Sequence, residues 1–258
     1  MPVVSDNTDH KTIQSVDRSF GIIEYIQENS GASLIELTDE FDISKSAIHY
    51  HLNTLMKYGW VVKEGETYRI GLRFLDPAMH SKSQREEYQI VHPKVVKLAD
   101  ETGERAQFII EENGRGIHVH SELGENGIQS NSRVGKLVYL HATSAGKAIL
   151  ASMPEERVES IVDAYGLPKM TDNTITTRGE LFDILEDIRE RGYAFNRAER
   201  RNGMMAMGAP VKDPSGRVFG AVSVTGPVRR MQDEHQRYLT DLLLDVTEEI
   251  RLRLEYPQ

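Results

Sequence analysis

From residue 12 to residue 31, apolar Val16, Phe20, Ile23 and Ile26 recur at helical spacing, and Asn29, Ser30 and Gly31 close the run as a helix stop. Ser33 and Glu36 form the S-x-x-E pattern of a capping box, which predicts a short second helix with Leu34, Leu37 and Phe41 on one side and its end at Asp42. Ser44 can cap a third helix, whose buried stripe is Ile48, Leu52, Leu55 and Met56 and whose terminator is Gly59. Two β-rich pieces, 60–63 and 67–70, then flank Glu64, Gly65 and Glu66, which is hairpin chemistry. Three helices followed by a hairpin predict a winged helix-turn-helix over residues 12–75.

Beyond Pro77 and the polar cluster HSKSQ, a helical period returns through Tyr88, Val91, Val95, Val96, Leu98 and Ala99 to Gly103. Residues 76–103 therefore read as a linker helix region, with the domain boundary near residue 80. From 104 onward the pattern mixes. AQFIIEE and GIHVHSE alternate or cluster like paired strands around Asn113 and Gly114. TSAGKAILASM, PEERVESIVDAYG and TRGELFDILEDIRERG are helical, the second with Pro154 at its first turn and the third opened by a capping box of Thr177 and Glu180. YAFN, MAMGAPVKD and RVFGAVSVTG are strands, the last two joined by the turn residues Asp213, Pro214, Ser215 and Gly216, and a helix over 233–254 follows. Strands and helices interleaved without repeat predict an α+β domain over 104–256.

Composition changes the picture at three points. The 258 residues suffice for two domains, and no apolar run approaches the roughly 20 residues of a membrane helix, so no membrane partner is expected. Cysteine is absent, which excludes disulfides, thiolate metal ligands and cysteine nucleophiles and fits a cytoplasmic protein. The start, MPVVSDNTDHKT, lacks the basic and apolar regions of a secretory signal and reads as a disordered lead-in.

The net charge of −9 argues by itself against nucleic acid, because neutralising phosphates supplies non-specific affinity. Its distribution reverses that. Between Ile43 and Lys63 there is no carboxylate, and three lysines and two histidines stand there instead. In a helix-turn-helix the outward, N-terminal residues of the second helix of the motif meet bases and phosphates. Here they are Lys45, Ser46, His49, Tyr50 and Asn53, each able to donate a hydrogen bond, with Asn53 suited to adenine and Lys45 to guanine or phosphate. Lys57, Lys63 and also Arg69 and Arg73 would reach the DNA backbone.

With SVDRSFGIIEYI, LTDEFDISKSAIHYHLNTLMKYGWV and YRIGLRFL in its first part, and LVYLHATSAGKAILASMP, RGYAFNRAER and GAPVKDPSGRVFGAVSVTGP in its second, the chain resembles the IclR family of transcription regulators over nearly its whole length. The resemblance implies a winged helix-turn-helix, a linker helix and a C-terminal α+β effector-binding domain with a GAF-like sheet. It further implies homodimers or homotetramers on operator double-stranded DNA, controlled by a small-molecule effector such as a sugar acid or aromatic acid. Carried over position by position, the effector site is Ala145 and Gly146, Asn196, Met204 and Ala206, and Ser223 and Thr225. Family members often carry an acidic residue at the position of Asn196 and a cysteine at that of Ala206. Physically, Thr143 and Ser144 stand where a helix begins, so the amides of Ala145 and Gly146 would face an anion, and Ser223 and Thr225 share one face of a strand.

Other chemistries fit less well. ATSAGKA has the Gly-Lys pair of a phosphate loop, but His141 replaces its first glycine and Ala148 its magnesium-binding hydroxyl. Neither Ser144 nor Ser223 lies in a G-x-S-x-G turn, so the chain reads as no enzyme, with no cofactor. His118 and His120, two apart on a strand, could share a face and bind zinc with His92 or His141, which keeps a metal-responsive regulator as an alternative, beside a ligand-binding enzyme in the C-terminal domain. The pairs Arg200, Arg201 and Arg229, Arg230 read as solvated surface or interface ion pairs.

Overall fold

The computed structural model describes residues 11–129 and 132–256; residues 1–10 of the expected lead-in lie outside them. The chain divides into two units between Gln84 and Arg85.

The first unit is a winged helix-turn-helix. Helices α1 (Gln14–Glu28), α2 (Leu34–Glu40) and α3 (Lys45–Lys57) pack with a three-stranded antiparallel sheet of β1 (Ala32–Ser33), β2 (Val61–Glu64) and β3 (Thr67–Ile70), in the order β1-β3-β2. The capping box forms: Glu36 N–H donates to Ser33 Oγ at 3.2 Å and Ser33 N–H to Glu36 Oε2 at 2.7 Å. Ser44 caps α3 by accepting from Ala47 N–H. Ile22, Ile26, Leu37, Ile48, Leu52, Leu55, Val61 and Tyr68 make the core. The stripe expected on α1 is shifted: Ile22 and Ile26 are buried while Val16 and Phe20 are exposed, because the core reaches only one side of that helix.

In place of one helix through the linker region there are two, α4 (Leu75–Ser83) and α5 (Glu87–Thr102). The break falls in the polar run Gln84, Arg85, Glu86. No residue of α4 is buried, whereas Tyr88, Val91, Val95, Leu98 and Ala99 of α5 all are. Packing therefore holds α5 in the second unit and stops where the apolar period stops.

The second unit is α+β. Its six antiparallel strands are β4 (Arg105–Glu112), β5 (Arg115–Leu123), β6 (Leu137–Val138), β7 (Ala194–Arg197), β8 (Met204–Lys212) and β9 (Val218–Pro227), in the order β6-β5-β4-β9-β8-β7. Asn113 and Gly114, both at positive φ, turn β4 into β5. Helices α5 and α9 (Asp233–Glu255) cover one face through Phe108, Met207, Val222, Val224, Leu239 and Leu243. Helices α6 (Ser144–Ala151), α7 (Glu155–Tyr165) and α8 (Arg178–Arg191) cover the other through Ile109, Ile149, Leu181, Leu185 and Ala221. The pairing of β4 with β5 slips between Phe108 and Ile109, so that His120 faces Phe108 and His118 faces Ile109 with Val119 extra on β5.

Candidate functional site

Burial of Ile48, Leu52 and Leu55 fixes the roll of α3, and the residues between them turn outward. Lys45, Ser46, His49, Tyr50, Asn53 and Lys57 are all exposed, Tyr50 by 72%, so its ring does not pack on the domain. Asn53 Nδ2 lies 3.1 Å from His49 Nδ1. His51 turns the other way, to Ser19 Oγ at 2.8 Å. The wing is more self-contained than its sequence suggests. Lys63 Nζ sits 3.4 Å from Glu66, and Arg69 is shared between Glu64, at 2.9 Å, and the Ser30 carbonyl, while the Arg73 guanidinium lies over the Trp60 ring. These pairs are exposed and therefore weak, and a phosphate could displace them.

In the second unit a cavity of about 250 Å³ opens between the sheet and the start of α6. Gln107 and Ile109 of β4, Ser223 and Thr225 of β9, Met204, Met205 and Ala206 of β8 and Asn196 of β7 contribute to it. Strand register explains why they meet: Gln107 pairs with Ser223, Thr225 with Ala206, and Ala206 with Asn196. Thr143, Ser144 and Ala145 come from the α6 N-terminus, Ser132 and Lys136 from the approach to β6, and Arg200 and Arg201 from the turn after β7.

That turn is anchored from below. Buried Lys147 pairs with buried Glu199, whose Oε1 accepts from Arg197 N–H and whose own N–H donates to Asn196 Oδ1. Thr174 and Thr171 donate to the Glu199 carbonyl at 2.5 and 3.1 Å, and Asn196 Nδ2 donates to the Ala142 carbonyl. The lining holds three cationic side chains, Lys136, Arg200 and Arg201, and no carboxylate. Burial pulls the Arg200 guanidinium below its ordinary range. His118, on the same wall, is pushed down to about 3 by burial, with Arg200, Lys136 and Arg105 adding repulsion, so its ring is neutral. The site has the chemistry of an anion receptor with neutral donors beside it.

Six of the seven residues expected at the effector site line this cavity; Gly146 does not. A Cβ at Gly146 would come within 2.2 Å of the Leu140 carbonyl oxygen, so this glycine allows a close turn. Its amide already donates to Thr143 Oγ1 at 3.0 Å, and only Ala145 of the expected amide pair reaches the wall. Arg200 and Arg201, expected on solvated surface or in interface pairs, belong to the cavity. Arg230 forms an intrachain pair with buried Glu104 at 2.5 and 2.8 Å. Gln107, Ser132 and Lys136 carried no signal in the sequence, and His118 only that of a zinc ligand; the β4–β5 hairpin sets them near one another, and pairing across more than a hundred residues sets Gln107 beside Ser223. The bulge in β5 also separates the two histidines of the alternative zinc reading. His118 Nδ1 meets Gln107 on the cavity side, while His120 Nε2 meets the Tyr88 carbonyl and stacks on His92 beside α5. Among the described residues no group of three metal-ligating side chains converges.

Both units have counterparts among known proteins. Residues 79–252 match the family model of the bacterial transcriptional regulator IclR C-terminal domain, and residues 15–65 match that of the IclR helix-turn-helix domain. The chain is 31% identical to a probable HTH-type transcriptional regulator, ArcR, of Halobacterium salinarum, over 98% of each chain. It is 27% identical to the transcriptional repressor IclR of Escherichia coli, over 93% of this chain and 89% of that one. The crystal structure of the Thermotoga maritima IclR protein superposes with a TM-score of 0.77 at 29% identity, covering 95% of this chain and all of the other. These relatives are named as regulators of transcription and not as enzymes. The chain belongs to the IclR family of transcriptional regulators, with a DNA-binding helix-turn-helix domain and a C-terminal effector domain.

Proposed function

We propose that this regulator binds operator DNA in the cytoplasm as a dimer or tetramer, and that a small organic anion such as a sugar acid or an aromatic acid sets its affinity. The observation that carries the effector class is the cavity wall: three cations, the hydroxyls of Ser223 and Thr225, and no carboxylate. Three cationic side chains gathered round one cavity with no carboxylate in its lining make a field that favours an anionic ligand. Methionines at 204 and 205 give adaptable apolar wall for the carbon skeleton.

On the DNA side, Lys45, Ser46, His49, Tyr50 and Asn53 read the major groove, while Lys57 and Lys63 meet the backbone. An outward helix face free of carboxylates inside a chain of net charge −9 supports this role. Self-association is supported by two apolar stripes that the first unit leaves uncovered. Ile13, Val16 and Phe20 follow one side of α1, and Leu72, Leu75 and Met79 run into α4, with Leu72 82% exposed. A second copy covers them, and its two-fold axis gives an operator of inverted half-sites about 34 Å apart or a multiple of that.

The experiment is operator binding by purified protein to labelled fragments of its own upstream DNA, titrated with sugar acids, aromatic acids and their neutral amides or alcohols. The expected result is saturable, salt-sensitive binding that at least one acid shifts and its neutral counterpart does not. Equal responses to acids and neutral analogues would overturn the anion class. Selective DNA binding that no small molecule alters would overturn the effector role.

A further inference from the structure

The hydrogen bonds around His118 fix where its ring proton sits. Ser121 Oγ lies 3.2 Å from the Ser132 carbonyl, which can only accept, so the single hydroxyl proton of Ser121 is spent there. Towards its other neighbours Ser121 accepts, from Arg105 Nη1 at 3.0 Å and from Gln107 Nε2 at 3.4 Å. The same Gln107 Nε2 lies 3.0 Å from His118 Nδ1 and donates to it as well, so Nδ1 carries no proton. The ring is neutral because it is buried among Arg200, Lys136 and Arg105, and its one proton is therefore on Nε2.

That Nε2–H has nothing to donate to. His118 is 1% exposed, its Nε2 is buried without a hydrogen-bond partner among the described residues, and its ring forms part of the cavity wall. Native structures rarely leave a buried donor unpaired, and one on a residue that lines a cavity points to an acceptor that a bound ligand brings. Of the cations acting on the ring, Arg200 has the largest effect, and it lines the same wall.

We infer, resting on the effector reading above, that His118 is a specificity-determining residue of this cavity, its Nε2–H donating to an oxygen of the bound organic anion beside the Arg200 guanidinium. Arg200 supplies the charge and His118 the direction. A ligand that places a carboxylate, hydroxyl or oxo oxygen against Nε2 satisfies it; one that places a methyl or an N–H there leaves the donor unpaired and binds less tightly. Because the ring stays neutral through the range in which imidazole ordinarily titrates, this donor is present across physiological pH.

Two measurements on the full chain test this. Long-range proton-nitrogen NMR on histidine-labelled protein reads the tautomer directly. An Nε2–H ring at His118 that does not titrate between pH 5 and 8 is expected, and an Nδ1–H ring or a titrating one would overturn the assignment. Calorimetry with a panel of sodium carboxylates of up to about seven carbons, with and without hydroxyl or oxo groups, then compares wild type with His118→Phe, His118→Gln and Arg200→Ala. The expected result is a tenfold or greater loss in His118→Phe and partial recovery in His118→Gln, whose amide restores a donor, with cooperative urea unfolding of both variants confirming that their second unit folds. Unchanged affinity in His118→Phe together with loss in Arg200→Ala would overturn the His118 role and leave the anion site standing. A panel that fails to bind wild type would count against the effector class itself, and the tautomer would decide the His118 assignment on its own.

Discussion

Gly208 of β8 lies directly beneath Ala145 at the start of α6: a Cβ on Gly208 would stand 2.6 Å from the Ala145 amide nitrogen and 2.9 Å from its Cα. The helix N-terminus can reach the cavity wall only because no side chain intervenes. Gly208→Ala should push α6 off the sheet, costing about 1–3 kcal/mol of stability as overpacking does. Effector affinity is expected to fall at least tenfold while operator affinity is kept, since α3 folds in a separate unit. Calorimetry beside a DNA-binding assay checks both, and a parallel loss of DNA binding would mean that the fold, not the cavity, was hit.

On α3, loss of a base contact differs from loss of a phosphate contact. Asn53→Ala and Lys45→Ala should each cost about 1–3 kcal/mol on the operator and relax sequence preference. Lys57→Ala should instead weaken all sequences alike and reduce the slope of log affinity against log salt by about 1. Binding isotherms across a salt series on operator and scrambled DNA separate the two classes. If all three variants bound the operator like wild type, α3 would not be the reading helix.

The Lys147–Glu199 pair holds the turn bearing Arg200, and both partners are buried. Glu199→Ala strands a buried ammonium, for which about 3–5 kcal/mol is the usual loss, whereas Lys147→Met with Glu199→Leu should recover much of it. Urea unfolding measures the stability. If the pair also positions Arg200, the double variant will be stable yet poor in effector binding; a stable double variant with full affinity would limit the pair to a structural role.

His118 gives stability a pH dependence with a definite sign. Its folded pKa, about 3, lies below the ordinary 6.5, so between those values the unfolded chain binds the extra proton and the native state loses stability as pH falls. From pH 7.5 to pH 5 the loss due to this residue is about 2 kcal/mol, at about 1.4 kcal/mol per unit below 6.5. Unfolding free energies from urea titrations at the two pH values should differ less in His118→Gln than in wild type by that amount. Identical pH dependence in the two proteins would show that the native ring is protonated like an exposed one.

The uncovered stripes on α1 and along the approach to α4 are expected to be the contact between copies. Phe20→Asp together with Met79→Asp should shift sedimentation velocity towards the monomer and weaken operator binding steeply, because two half-sites no longer bind together. A double variant that still sediments as wild type would place the contact elsewhere.

Most of the first unit was legible in the sequence because its signals are local. A capping box, an apolar stripe at four- and three-residue spacing and a glycine-centred hairpin each act within a few residues, and together they determined the helix-turn-helix and the outward face of α3. Even there, the side of α1 that is buried was decided by what packs against it, and the linker broke in two where burial ends. The α+β character of the second unit was likewise in its alternating and helical runs. What the sequence could not determine is which strands pair. The register that sets Gln107 beside Ser223, the bulge that turns His118 to the cavity and His120 away from it, and the anchored turn that brings Arg200 to the wall are long-range choices. They are made by the closing of one sheet over its two cores, so the residues lining the cavity belong together only once the chain has folded.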